Sequence, residues 1–425
     1  MRRIIQIFIG LLYTATISAQ TLEECQILAR EHYPEIRQYD LVSQTEQYNL
    51  SNASRAWIPQ IALSGQATWQ SATPTYPDVL SGILKANGVD MAGIRKDQYK
   101  VAIDLTQNIW DGGKSKADKA IAKADANEEQ SRLNVSLYEL QSRIENIYFG
   151  ILLLDERTAQ TEALIKVLES NLARMRSYCN NGTATQADVD AIEAEMLSAK
   201  QTLGQIEASR SSYRKMLEIF IGTSLKDEKL SRPALPIIGS RTSARPELEL
   251  FNAQEKKIDA QRKAINSSVM PKFYAFAQGF YGYPGMDMFK SMVDGDWSLN
   301  AMVGIKMAWN INGFYTKKNN LHKLNIAQQQ VGVQRDIFLF NSEIQTTKDD
   351  GEITRLIKAI NDDSRIVELR RNVRIAAESK FKNGVIDVTD LLQKITDETN
   401  SQQNKSTHEI ELLQASYRLK HTLNQ

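Results

Sequence analysis

Cysteine and proline are scarce in these 425 residues, and long apolar runs are scarcer still. The two cysteines are Cys25 and Cys179. A disulfide needs Cα atoms within about 7 Å, and the long helix argued below carries Cys179 far from Cys25, so no disulfide is expected. Beyond the N-terminal segment no stretch reaches the ~18 consecutive apolar residues of a membrane helix. If the chain crosses a membrane, it must do so as strands of a closed barrel, the other structure that satisfies every backbone polar group in lipid. Neither charge sign is in excess. A formal net charge of +1 supplies no broad basic field, and nucleic acid is not an expected partner. The prolines are confined to 34–77 and 233–284, which leaves two long stretches where helices can run unbroken.

The first of those stretches carries Leu133, Leu137, Leu140, Ile144, Ile147, Ile151, Leu154, Thr158, Thr161, Ile165, Leu168, Leu172 and Met175 in alternating steps of four and three. A 3.5-residue spacing keeps one stripe facing a partner helix along a left-handed supercoil. The spacing predicts a helix over about 114–179, on the order of 100 Å long at ~1.5 Å per residue. Asn181 and Gly182 suit the left-handed residue that ends a helix, and Thr185 with Asp188 reads as a capping box for a return helix. That return carries Val189, Ile192, Met196, Ala199, Leu203, Ile206, Tyr213, Leu217 and Phe220, interrupted by Arg210. The unit is an antiparallel helical hairpin.

At the N-terminus Arg2 and Arg3 precede an apolar run over 4–12, with Ser18 and Ala19 ahead of Gln20. This predicts a secretory signal peptide over 1–20, cleaved near Ala19 or Gln20. Glu23 and Glu24 before Cys25 are wrong for lipidation. A helical pattern over 21–56 then gives way to period two. In 61–69 the apolar positions are Ile61, Leu63, Ala67 and Trp69, and a second alternating strand carries Tyr99, Val101, Ile103, Leu105 and Ile109. The turn formers of 71–98 predict a long loop with a short helical piece. Trp110, Asp111, Gly112 and Gly113 turn the chain into the long helix.

Beyond a proline-punctuated linker over 223–245 the plan repeats. Pro246 stands 212 residues after Pro34, Pro271 stands 212 after Pro59, Trp309 stands 199 after Trp110, and Gly384 stands 202 after Gly182. These offsets predict a duplication, with repeats over 21–222 and 246–425 and the length difference in the loop between paired strands, where length costs little. The second strand pair is expected over 273–281, which alternates poorly, and 299–309. Helices are expected over 315–382 and from 387 onward. The fold class is therefore mainly α with β: long helical hairpins plus four strands. Four strands cannot close a barrel, and open edges in lipid leave unpaired backbone groups at several kcal/mol each, so other copies of the chain must complete it. Trp57, Trp69, Trp110, Trp297 and Trp309 near the strand ends fit membrane-belt aromatics.

The duplicated order of helix, strand, strand and long hairpin resembles the TolC family of outer-membrane efflux proteins. So do Pro59 and Pro271 before the strands, the aromatic-Asp-Gly-Gly turn at Trp110, and Gly182 and Gly384 followed by Asp188 and Asp390. The second turn departs from the pattern as Trp309, Asn310, Ile311, Asn312 and Gly313. The resemblance implies a homotrimer whose twelve strands form one barrel in outer-membrane lipid of a Gram-negative bacterium, with a long periplasmic tunnel of helices below. It implies a passive exit duct for efflux or type I secretion, docked to a periplasmic membrane-fusion adaptor and an inner-membrane pump. Adaptor docking would fall to the tips at Asn181, Gly182, Thr183, Asn383, Gly384 and Val385. A periplasmic gate would fall to Asp390, with Asp188 and Asp387 beside it, while the family's second acid is Gln393 here. The alternative is a periplasmic adaptor or a poreless coiled-coil scaffold.

Catalytic chemistry has little footing. Gly112, Gly113, Lys114 and Ser115 mimic the end of a phosphate-binding loop, but Asn108 occupies the place of its first glycine. His32, His322, His408 and His421 lack paired metal-ligand spacing, so no metal, cofactor or enzymatic activity is expected. Asp349 with Asp350 and Asp362 with Asp363 read as solvated helix faces.

Overall fold

The computed structural model describes residues 20–89, 93–225, 229–239, 241 and 243–424. The expected signal peptide, apart from Gln20, lies outside the described residues. The chain forms α1 (Leu22–His32), a 3-10 turn (Pro34–Arg37), α2 (Gln38–Arg55), β1 (Gln60–Trp69), α3 (Asp78–Ala86), β2 (Asp97–Trp110), α4 (Lys114–Asn180) and α5 (Gln186–Ile221). After the linker come α6 (Pro246–Ser268), β3 (Lys272–Tyr283), α7 (Met288–Asp294), β4 (Ser298–Ala308), α8 (Gly313–Lys382) and α9 (Val388–Leu423).

Two compact units share these elements, one from residues up to 39, 132–249 and 335–425, the other from 40–131 and 250–334. In the first, the heptad positions of α4 become buried as the period requires. Ile165, Leu168, Leu172 and Met175 pack against Val189, Ile192, Met196 and Ala199 of α5 and Val388 of α9. Higher on α4, Leu137, Leu140, Ile144 and Ile151 pack against Leu22, Cys25 and Ala29 of α1 and Ile410, Leu413 and Tyr417 of α9. Each such aliphatic side chain, fully buried, contributes roughly 1.5–3 kcal/mol. Arg210, which interrupts the α5 seam, pairs with Asp155 of α4. Gly150 stands where the Tyr213 ring crosses α4, and a Cβ there would lie 2.5 Å from the ring.

The helical pattern expected over 21–56 breaks between Tyr33 and Arg37. Pro34 lacks an N–H and holds Tyr33 extended at φ −62°, ψ 126°, so α1 ends and α2 restarts after the 3-10 turn. Both cysteines are free.

In the second unit the four strands make one antiparallel sheet in the order β1-β2-β3-β4, open at both edges. The register places Ile61 opposite Leu105 and Leu63 opposite Ile103. It carries on through Val101 opposite Tyr281, then Tyr281 opposite Leu299 and Ala277 opposite Val303. The apolar alternations read from the sequence thus fall on one face of one sheet, except at Ile109, where a bulge between Asn108 and Trp110 shifts the register and sets Trp110 opposite Phe273. The poor alternation of β3 has a local cause: its other face carries Phe276 and Phe280. Phe280 is covered by the Lys100 ammonium at 4.3 Å from the ring centroid, and Phe276 fills the space left by Gly304.

Candidate functional site

Away from its loop end the sheet's apolar face is left uncovered by the described residues. Leu63 is 74% exposed, Val303 80% and Leu299 81%, so a row of β-branched and leucine side chains has no internal core to enter. The opposite face is polar: Lys100 Nζ donates to Gln278 Oε1 at 3.0 Å, Gln278 Nε2 donates to Asp104 Oδ1, and Ser64 Oγ donates to Asp104 Oδ2 at 3.4 Å. One oily and one wet face, with both edges open, is what a strand set needs for a share in a lipid-facing barrel. Trp69 and Trp297 lie at the loop end of the sheet, and Trp57, Trp110 and Trp309 at the helix end, all exposed. Among the described residues no helix is long and apolar enough to cross a membrane.

The strand-to-helix turn is built on Asp111. Its Oδ1 accepts from Gly113 N–H at 2.9 Å, and its Oδ2 accepts from Ser115 N–H at 2.7 Å and from the Ser115 hydroxyl, satisfying orphan donors of the first turn of α4. Burial opposes ionisation, but those hydrogen bonds outweigh it and hold the carboxyl below its ordinary pKa. Gly112 and Gly113 take φ +71° and +85°. The same place after β4 has no such device, and Gly313 opens α8 directly.

The two hairpin turns are alike. Thr183 N–H reaches Tyr178 C=O at 2.9 Å and Gly182 N–H reaches Cys179 C=O at 3.0 Å. Val385 N–H to Lys380 C=O and Gly384 N–H to Phe381 C=O repeat the pattern at 2.9 and 3.0 Å. This is the Schellman motif with a left-handed glycine, and it leaves Val385 exposed. Asn181, Thr183 and Asn383 stand in the same turns.

The acids after these turns differ. Asp188 folds back on Thr185, accepting from its N–H at 2.9 Å and its hydroxyl at 2.7 Å; the hydroxyl and then the amide hydrogen bond lower its pKa. In the second hairpin Asp387 is itself the N-cap, accepting from Asp390 N–H at 2.8 Å, as the capping reading of the sequence expects. The Asp390 side chain is left exposed, one turn into α9. Gln393 Nε2 donates to Asp397.

The reading of the α8 acid pairs as solvated faces is corrected. Asp349 is fully buried and receives Gln345 Nε2 at 3.0 Å and Arg418 Nε at 2.6 Å, while Asp363 is buried against His408 Nδ1 at 2.7 Å. Asp350 pairs with Arg241; only Asp362 remains an exposed face residue. A charge pattern on one helix cannot announce an arginine more than 60 residues away, so this network was not legible. Glu145 of α4 was missed for the same reason. It is buried against Gln26 Nε2 of α1 at 3.0 Å.

Comparison with solved structures identifies the fold as that of outer-membrane channels. The chain superposes on VceC of Vibrio cholerae with TM-score 0.69 at 15% identity, covering 95% of both chains. For CmeC of Campylobacter jejuni the values are 0.68 and 10%, over 96% of this chain and 86% of that one. For the open state of MtrE of Neisseria gonorrhoeae they are 0.65 and 15%, over 95% and 88%. No curated protein matches the chain. Residues 27–223 match the model of the outer membrane efflux protein family.

Proposed function

We infer that the protein is the outer-membrane exit duct of a tripartite efflux or type I secretion system, conducting cargo passively from a periplasmic adaptor and inner-membrane pump to the exterior. The observation that carries this reading is the single apolar sheet face with two open edges. Strand directions alternate across the sheet, so β4 of one copy can meet β1 of the next in antiparallel pairing, and closure between copies removes every edge. Ile337, Phe340 and Ile344 support it independently. They stand exposed on α8 at steps of three and four, a heptad seam that the other described residues leave uncovered. We take the closed assembly to be a homotrimer of twelve strands, and the repeats 21–222 and 246–425, joined by the linker 223–245, as its two structural halves. The five tryptophans serve as its belts, and the helices extend into the periplasm.

Purified protein is expected to require detergent for extraction, to have the mass of three chains and to conduct ions in a planar bilayer. A folded monomer in detergent would sink the barrel. A periplasmic adaptor or scaffold would show no conductance.

The Schellman turns suit adaptor docking because a rigid two-helix support holds them out at the hairpin ends. Replacing Thr183 and Val385 by arginine is expected to abolish export while trimer yield and membrane insertion stay unchanged. Unaltered export would remove the tips from the docking surface.

Asp390 is the gate acid we favour. Asp188 is engaged in its capping box and Asp387 in capping α9, whereas the Asp390 carboxylate is not spent on a cap. Three symmetry copies around a narrow pore end would repel one another and favour a bound cation. Asp390→Ala is expected to raise single-channel conductance and weaken block by divalent cations. Lower thermal stability with unaltered conductance and block would instead mark Asp390 as a structural residue of the α9 first turn.

A further inference from the structure

The two loops at the far end of the sheet contain short helices whose apolar side chains have no core to enter. Val79, Leu80 and Ile83 of α3 are exposed, as are Met286 beside α7 and Phe289 and Val293 within it. The sequence predicted no more than a short helical piece here, and α7 not at all.

The aromatic anchors of these loops lie on one particular side. Trp297, which closes the β3–β4 loop, stacks on Tyr99 at 6.0 Å and packs on Tyr281 at 5.4 Å. Both tyrosines belong to the apolar face of the sheet. Tyr283, opposite Tyr99 and so on the same face, is buried by Ile94 and Met292, one from each loop. Its hydroxyl accepts from Arg95 N–H at 3.1 Å, and the Arg95 guanidinium lies over its ring at 4.5 Å. Tyr76, two residues before α3, meets Phe289 of α7 at 6.1 Å between ring centroids. The loops therefore hold each other and set their aromatic anchors on the apolar face, while Met286 N–H donates to Asn300 Oδ1 on the polar face at 2.9 Å.

We propose that α3 and α7 form a hydrophobic collar that rests in the outer leaflet of the membrane, its occupant being the interfacial lipid around the barrel. The inference rests on the barrel reading above. A short amphipathic helix whose apolar face continues a lipid-facing surface lies in the interface plane, and Trp297, Tyr99 and Tyr281 are residue types that settle there. A second copy is the poorer occupant. Neighbouring copies meet at β1 and β4, the sheet edges, whereas the loops are fastened to β2 and β3 in its centre. Water is poorer again, since each square ångström of apolar surface left in it costs about 25 cal/mol.

The test uses the full chain in lipid nanodiscs, with Cys179→Ser leaving only the buried Cys25, whose thiol burial pushes up to about 12. Single cysteines replace Ile83, Phe289, Val303 or Lys306 in turn and carry a bimane fluorophore. Aqueous iodide and a nitroxide-bearing phospholipid serve as quenchers. Val303 reports the apolar sheet face and Lys306 the polar one. Positions 83 and 289 are expected to match Val303, gaining quenching by the lipid nitroxide and losing quenching by iodide relative to Lys306. Iodide access equal to that at Lys306 overturns the collar, and so does shielding from both quenchers, the signature of another copy or of loops folded across the mouth. If Val303 itself escapes the lipid quencher, the barrel reading fails and the collar with it. Lipid quenching at Val303 without it at 83 and 289 fails the collar alone.

Discussion

Gly112→Val is expected to eliminate folded oligomer. A side chain at φ +71° is in the left-handed region, and its Cβ would lie 2.8 Å from Met270 Cβ, 3.2 Å from Pro271 O and 3.3 Å from Ser267 O. Two of those three neighbours are backbone oxygens at the junction of α6 and β3, which cannot swing aside. The left-handed conformation costs roughly 1–2 kcal/mol and the overlap roughly 1–3 more, together on the order of 4 kcal/mol for one copy. In a symmetric assembly every copy bears that cost, a large share of the roughly 5–15 kcal/mol that holds a fold together. Gly182→Ala is the control. It also has positive φ, +73°, but nothing lies within 4 Å of its added Cβ, so only the conformational cost remains. Heat-dissociation of the oligomer on semi-native gels should show no oligomer for Gly112→Val and a modest shift for Gly182→Ala. Equal behaviour of the two would refute close packing as the reason for Gly112.

Glu145→Gln is expected to stabilise the protein at pH 8 and to do little at pH 4. Burial pushes the Glu145 carboxyl up to about 7 from its ordinary 4.5, with the Gln26 hydrogen bond and Lys420 opposing and Glu23 assisting. The folded state thus holds a proton that the unfolded chain releases, and stability falls as pH rises from about 4.5 to about 7. Above that window the ionised carboxylate costs on the order of 3 kcal/mol. A neutral glutamine keeps a hydrogen-bonding partner for Gln26 and removes the pH dependence. Thermal midpoints of both proteins across pH 4 to 8 should diverge as pH rises. A gap of constant size would rule out Glu145 as the titrating group.

The elements with strong local signals were legible from residues alone. The steps of four and three from Leu133 to Met175 determine α4 because a 3.5-residue period has one low-energy solution, a supercoiled helix. Thr185 with Asp188, and Gly182 with Gly384, determine the turns because capping and left-handed glycine are interactions across a few residues. The alternation of Leu299, Ala301, Val303, Ile305 and Met307 likewise determines β4.

Tertiary structure decided what depends on distant partners. Whether Asp349 is solvated or buried depends on Arg418 of another helix, and the raised pKa of Glu145 depends on α1 closing over α4. The weak alternation of β3 became intelligible once Lys100 and Gly304 were beside Phe280 and Phe276. The side on which the α3 and α7 loops set their aromatic anchors was fixed by Trp297 finding Tyr99 across the sheet. Periodicity tells which residues share a face; only packing tells what that face meets, because burial and pairing energies belong to contacts between segments far apart in the chain.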